Sequence, residues 1–212
     1  MEISWYGQAA FRLKGKTASV VVDPYDPSIG LKWPKTEADI VAVTHTHPDH
    51  NNTAGVSGAS YIAKGPGEYE IKGVAFTGVS SWHDNKEGAE RGPNTIYVFN
   101  IDGVRICHLG DLGQHQLTEP QLEEIGDVDV LLIPVGGVFT VQAAEAAKIV
   151  AQLEPKIIIP MHYHLPGLTA GLEPVEHFLK EMGKENIEPV SKLNISSEKM
   201  PEEAQIVVLE HI

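Results

Sequence analysis

The spacing of apolar positions changes character along the chain, and predicts a β-rich first half followed by alternating helices and strands. Glu2 to Tyr6, Ala10 to Lys14 and Ala18 to Asp23 are short apolar-rich runs with Gly7 and Gly15 as turn signals, which predicts an antiparallel opening. Asp39 to Thr44 is apolar nearly throughout, as in a strand buried on both faces. Short strands are expected near Tyr61 to Ala63, Tyr69 to Ile71 and Val74 to Val79, with Gly65-Pro66-Gly67 as a turn. Thr95 to Ile101 and Val104 to Leu109 flank Asp102-Gly103, a hairpin signal.

From Leu117 the period lengthens. Thr118 as N-cap and Gln121 as the other half of a capping box start a helix, with Leu117 and Leu122 as its hydrophobic staple. Asp127 to Val135 and Lys156 to Pro160 read as strands, and Val141 to Leu153 between them as a helix capped by Thr140. Glu173 to Met182 reads as a helix with Pro174 at its start and Gly183 past its end, and Gln205 to Leu209 closes as a strand. The patterning continues without a linker, which predicts a single domain over residues 1–212. Gly15 precedes Asp23 by the same spacing that separates Gly103 from Asp111, a faint echo that would suit a pseudo-symmetric sandwich.

Chemistry-bearing residues gather where the apolar runs stop. In Thr44-His45-Thr46-His47-Pro48-Asp49-His50, three imidazoles and a carboxylate follow a buried strand. His45 and His47 are two apart, so an extended chain points both to one side, where they can share an ion. Pro48 suits a helix's first turn, so Asp49 and His50 are expected at the start of a helix running toward Gly55, facing the pocket from another direction. Asp23 also follows a strand and reads equally as a cap or as the orienting partner of a ligand histidine. The loop Tyr25 to Lys35 contains Trp33, either a pocket wall or plain packing.

His45-x-His47-x-Asp49-His50 resembles the H-x-H-x-D-H signature of the metallo-beta-lactamase-fold hydrolases. The resemblance implies an α/β sandwich, four layers in the order αβ/βα, with two mixed β-sheets and helices on the outer faces. It also implies that His45, His47 and His83 hold one metal, that Asp49, His50 and His162 hold a second, and that Asp111 bridges them. His162 and His164 would point the same way on an extended chain, so spacing alone does not choose, and the resemblance of Pro160-Met161-His162-Tyr163 to the family's closing histidine motif favours His162. The phrase Arg91-Gly92-Pro93-Asn94-Thr95-Ile96 resembles the branch containing L-ascorbate-6-phosphate lactonase.

Five imidazoles and two carboxylates suit two divalent ions, zinc first, with manganese, nickel or iron also accommodated by such donors. Such a centre supplies hydroxide near neutral pH, with Asp49 as the catalytic proton carrier, for cleavage of a small ester or lactone. A phosphodiesterase and a non-hydrolytic redox module are the alternatives. Lys86, Arg91, Asn94 and His164 are candidate substrate contacts. His108 and His115 are expected to hydrogen-bond near Asp111, and His177 and His211 to be solvated.

Charge and cysteine content narrow the setting. Lys plus Arg number 16 against 29 Asp plus Glu, a formal net charge of -13, which disfavours nucleic acid and anionic membrane as partners and leaves a small-molecule substrate. Self-association into a homo-oligomer stays open. Cys107 is the only cysteine and lies in an apolar run, so it reads as core. Without a basic segment leading into an apolar stretch near Met1, the expected compartment is the cytoplasm.

Overall fold

The computed structural model describes residues 1–212. The first part supplies β1 (Glu2–Gly7), β2 (Ala10–Lys14), β3 (Ser19–Val22), β4 (Thr36–Glu37), β5 (Ile40–Val43), β6 (Val56–Ser57) and β7 (Tyr61–Lys64). A meander of β8 (Gly67–Ile71), β9 (Val74–Trp82), β10 (Pro93–Ile101) and β11 (Val104–His108) follows. Then come α1 (Glu119–Ile125), β12 (Val130–Pro134), α2 (Ala143–Leu153), β13 (Ile157–Met161), α3 (Val175–Glu181), β14 (Leu193–Asn194) and β15 (Gln205–Ile206).

These strands form two mixed sheets, β14-β1-β2-β3-β5-β7 and β15-β13-β12-β11-β10-β9-β8, with β4 and β6 as a small separate ribbon. The first sheet runs antiparallel through β1, β2 and β3, then parallel through β5 and β7. The second runs antiparallel through β9, β10 and β11, then parallel through β12 and β13. The echo between Gly15–Asp23 and Gly103–Asp111 therefore reflects the same series of strand directions in both halves. One consequence positions the site: β1, β3 and β5 share one direction, and so do β9, β11 and β13. The carboxyl ends that carry Gln8, Asp23, His45, His83, Asp111 and His162 fall together.

The strand that the sequence reads as buried on both faces, β5, is buried throughout, and so are β3, β12 and β13. They contribute to one continuous apolar core. The two sheets are tied at the site edge by Thr95 N–H to the Thr44 carbonyl at 3.0 Å and His162 N–H to the Gln8 carbonyl at 3.1 Å. The Asp102-Gly103 turn has φ of 54° and 78°, both left-handed, as a two-residue hairpin of this type requires. The Thr118–Gln121 capping box is present.

Several local expectations change. No helix follows Pro48: residues 48–50 form a turn and Thr53–Gly55 a single 3-10 turn. The bond that would continue a helix, Asn52 N–H to the Pro48 carbonyl, is not made, because Asn52 donates to the Pro24 carbonyl at 2.7 Å and Asp26 donates to Pro48 at 3.0 Å. Helix α2 begins at Ala143 and not at Val141: Gln142 is extended and forms the capping box with Glu145, and the Thr140 hydroxyl caps nothing. All three α-helices lie in the second half of the chain. The closing strand is shorter than expected, and β14, which pairs with β1, was not signalled by any apolar run. No helix is long and apolar enough to cross a membrane.

Leu131 is fully buried in β12. Leu131→Ala is expected to lower the unfolding free energy by about 2–5 kcal/mol, read as a lower urea midpoint at unchanged m-value.

Candidate metal centre

The centre is built outward from Asp23. This carboxylate is fully buried at the end of β3, with φ of 49°. Its Oδ1 accepts the Thr44 backbone N–H at 2.8 Å, and its Oδ2 accepts the Thr44 hydroxyl at 2.7 Å and His50 Nδ1–H at 2.9 Å. It thus serves as turn cap and histidine orienter at once. An ionised carboxylate only accepts, so the Thr44 hydroxyl spends its proton on Asp23 and can only accept from His45 Nδ1 at 3.0 Å. Both histidines are left with Nε2 free for another partner.

Two groups of donors result. One atom each from His45, His47 and His83 lie within 4.8 Å of one another, and so do atoms from Asp49, His50, Asp111 and His162. Asp111 stands centrally: its Oδ2 is 3.2 Å from His50 Nε2, 3.2 Å from His162 Nε2 and 3.3 Å from His83 Nε2. His47 is exposed and Asp49 half-buried, while the other five are buried.

Burial pulls the His45 imidazole down to about 2, with His50 pulling the same way, and lowers His47 too. Both are therefore neutral donors near pH 7. Burial also opposes charge on His50, but Asp111, Asp23 and Asp49 outweigh it and hold its pKa well above the usual value. Burial raises Asp49 and Asp111, and neighbouring imidazoles outweigh it for both: His50 foremost for Asp49, His162 and His50 for Asp111. Three carboxylates thus concentrate demand for positive charge around one imidazole.

The donor set fits divalent cations. His45 Nε2, His50 Nε2 and Asp111 Oδ1 are buried without a hydrogen-bond partner, as are His83 Nδ1 and His162 Nδ1. Buried polar atoms are rarely left so, and unpaired atoms on five of the seven grouped residues suit bound cations. Neutral imidazole with carboxylate, and no thiolate, suits zinc among several first-row metals.

Residues 2–162 match a beta-lactamase superfamily domain. Among curated relatives, a UPF0173 metal-dependent hydrolase of Thermococcus kodakarensis is 33% identical, covering 77% of this chain and 85% of its own. One from Methanoculleus marisnigri is 34% identical, covering 82% and 86%. The chain belongs to the UPF0173 metal-dependent hydrolases of the metallo-beta-lactamase superfamily. A Thermotoga maritima protein of that superfamily, assigned as a Zn-dependent hydrolase, matches this metallo-beta-lactamase fold with a TM-score of 0.80 at 37% identity, over 100% of this chain and 99% of that one.

Other candidates in this hydrolase take different places. His162 is buried with φ of 52°, and that left-handed step breaks the extended geometry that would have aligned it with the exposed His164. Asn94 is a correction: its amide donates to Ser81 Oγ and the Leu109 carbonyl and accepts the Asp111 N–H at 3.1 Å, so it fixes Asp111 and has nothing left for a substrate. Lys86 is paired with Glu90. His108 is buried between the Ala9 carbonyl and Gly110 N–H, while His115 lies near Glu145. His177 pairs with Glu173, and His211 is exposed with its ring edge-on to Trp5. Trp33 donates to the Gly55 carbonyl and packs on Tyr25. Sequence reasoning missed Gln8, whose amide donates to Asp49 Oδ2 at 3.1 Å. Its signal was position, since it follows β1, a strand running in the same direction as β3 and β5.

The orienting role of Asp23 has a measurable consequence. Asp23→Ala is expected to weaken metal affinity by about 10- to 100-fold, the usual cost of losing a carboxylate behind a ligand histidine. Competition with a chromogenic chelator reads it, and unchanged affinity would remove Asp23 from the centre.

Proposed function

We propose that this protein cleaves a small ester or lactone at a centre holding two divalent ions, with His45, His47 and His83 on one, Asp49, His50 and His162 on the other, and Asp111 between. The observation that carries the reading is the way these donors share one space. Gln8, His47, Asp49, His83, Asp111 and His162 all line a single cavity of about 260 Å³. A cavity at or below the lower end of small-molecule sites suits a compact substrate. The likeness of Arg91 to Ile96 to the lactonase branch supports a carboxylic ester ahead of a phosphodiester. Zinc is the metal best matched to the donors, with manganese, nickel or iron as the outcomes a metal analysis distinguishes.

When bound, such ions supply hydroxide near neutral pH and polarise the oxygen under attack. The protein's own residues do the rest. Asp49 is the least buried carboxylate of the set, with 27% of its side chain exposed toward the cavity, and Gln8 fixes one of its oxygens. From there it takes a proton from the attacking water and returns one to the leaving alcohol, so that water is added across the acyl bond. Asp23, Thr44 and Asn94 hold His50, His45 and Asp111 in their tautomers and positions.

A screen of lactones, simple esters, phosphodiesters and thioesters with zinc-reconstituted protein tests the reaction class. Turnover of phosphodiesters alone would overturn the ester assignment. Asp49→Asn, compared at equal metal content, is expected to lose about 10²- to 10⁴-fold in turnover, the range of a proton-transfer contribution. Near wild-type turnover in that fully metallated variant would reduce Asp49 to a ligand. Asp111→Ala is expected to retain fewer than two metal equivalents by elemental analysis, and His162→Ala to lose more metal than His164→Ala.

A further inference from the structure

Beside the candidate metal centre lies a second cavity, of about 280 Å³, that shares His47 and Arg91 with the first. Its walls include Thr44, Thr46, Lys64, Arg91 and Thr95, and no carboxylate. In a chain with 29 acidic against 16 basic residues, a cleft with two cations and no acid is a local reversal of sign. The cations are also kept unpaired. The loop carrying Arg91 contains Asp84, Glu87 and Glu90, any of which is near enough in sequence to neutralise it. Asp84 is instead saturated by four backbone N–H groups, those of Lys86, Gly88, Glu90 and Arg91, at 2.7–2.9 Å. Glu90 is taken by Lys86. The Arg91 guanidinium meets only the face of Phe139, 5.7 Å from the ring centroid, and the Lys64 ammonium meets only the neutral Asn51 Oδ1 at 3.1 Å.

A guanidinium stacked on an aromatic ring keeps its N–H fork free to bind an oxyanion through two parallel hydrogen bonds. We infer that this second cavity is an anion subsite, in which Arg91 and Lys64 hold a carboxylate or phosphate group of the substrate while its ester bond lies over the donor clusters. The substrate class is thus a compact anionic ester or lactone, an assignment that rests on the hydrolase reading. Selection would come from charge at one end and metal chemistry at the other, with Arg91 at the boundary of the two spaces.

The chain has three arginines, Arg12, Arg91 and Arg105, so their Nε–Hε resonances can be separated by substitution. Inorganic phosphate and succinate are each titrated into zinc-loaded protein by nuclear magnetic resonance. At least one is expected to shift the Arg91 resonance while leaving Arg105, whose Nε–H is bonded to the Asp127 carbonyl, in place. Which one does so separates a phosphorylated from a carboxylated substrate. Lys64→Gln is expected to weaken the fitted affinity about tenfold, as loss of a charge-assisted contact should, and Lys148→Gln, an equal change of net charge at an exposed position of α2 outside the cavity, to leave it unaltered. An unmoved Arg91 resonance with both anions, or equal affinities in the two lysine variants, would overturn the subsite. The readout needs no turnover, so failure of the ester screen would sink the reaction class and leave this result to stand or fall alone.

Discussion

The structure depends on the burial of carboxylates among imidazoles where two sheets meet. Asp23 and Asp111 are removed from water, and a buried carboxylate costs several kcal/mol unless donors or cations surround it. At Asp23 the debt is met internally by Thr44 and His50. At Asp111 one oxygen lies among three imidazoles and the other has no partner. The two aspartates follow β3 and β11, each the last antiparallel-paired strand before its sheet turns parallel, so the same topological position yields a scaffold on one side and a candidate metal donor on the other. Asp23 lets the centre tolerate the unsatisfied Asp111, because it fixes His50, which touches both.

How legible this was in the sequence follows from how local each feature is. The Thr118–Gln121 box, the Asp102-Gly103 turn and the buried β5 depend on neighbours within a few residues, and all formed as read. The donors His45, His47, Asp49 and His50 were visible because they are contiguous. His83, Asp111 and His162 were visible only as polar residues at strand ends, and needed the family resemblance to be grouped. What could not be read was set by distant partners. The helix expected after Pro48 lost its bonds to Pro24 and Asp26. Asn94 looked available until Ser81, Leu109 and Asp111 were seen to exhaust its amide. His162 and His164 were inseparable because the left-handed φ at His162 has no sequence signature.

Backbone strain marks the same edge of the molecule. Gln8, Asp23 and His162 all have left-handed φ without being glycine, and each delivers a side chain or carbonyl to the centre. Such conformations cost of order 1–3 kcal/mol each and persist only where surrounding structure over-determines them. Here the surroundings are parallel strand ends locked in ladders on either side, which leave the turn no alternative. Glycine serves where even that is insufficient: a Cβ on Gly136 would lie 2.1 Å from the His162 carbonyl oxygen, so the chain passes His162 only without one.

The candidate metal donors and the proposed anion subsite hang from different kinds of structure. The donor groups hang from strand ends whose positions are fixed by the sheets. Arg91 and Phe139 hang from loops. The first loop is ordered by a single carboxylate, Asp84, which stays ionised because its four N–H partners outweigh the effect of burial and hold its pKa down to about 2. The second contains Val138 at φ of 59°, unusual for a β-branched residue, with Val138 and Phe139 both exposed. The first loop is still tied to the centre, because the Gly92 carbonyl accepts the His83 N–H at 3.1 Å. The division between strand ends and loops is why a motif read from seven contiguous residues identifies the chemistry and stays silent on the substrate: the residues that face the substrate are brought to the cleft by contacts which no stretch of sequence contains.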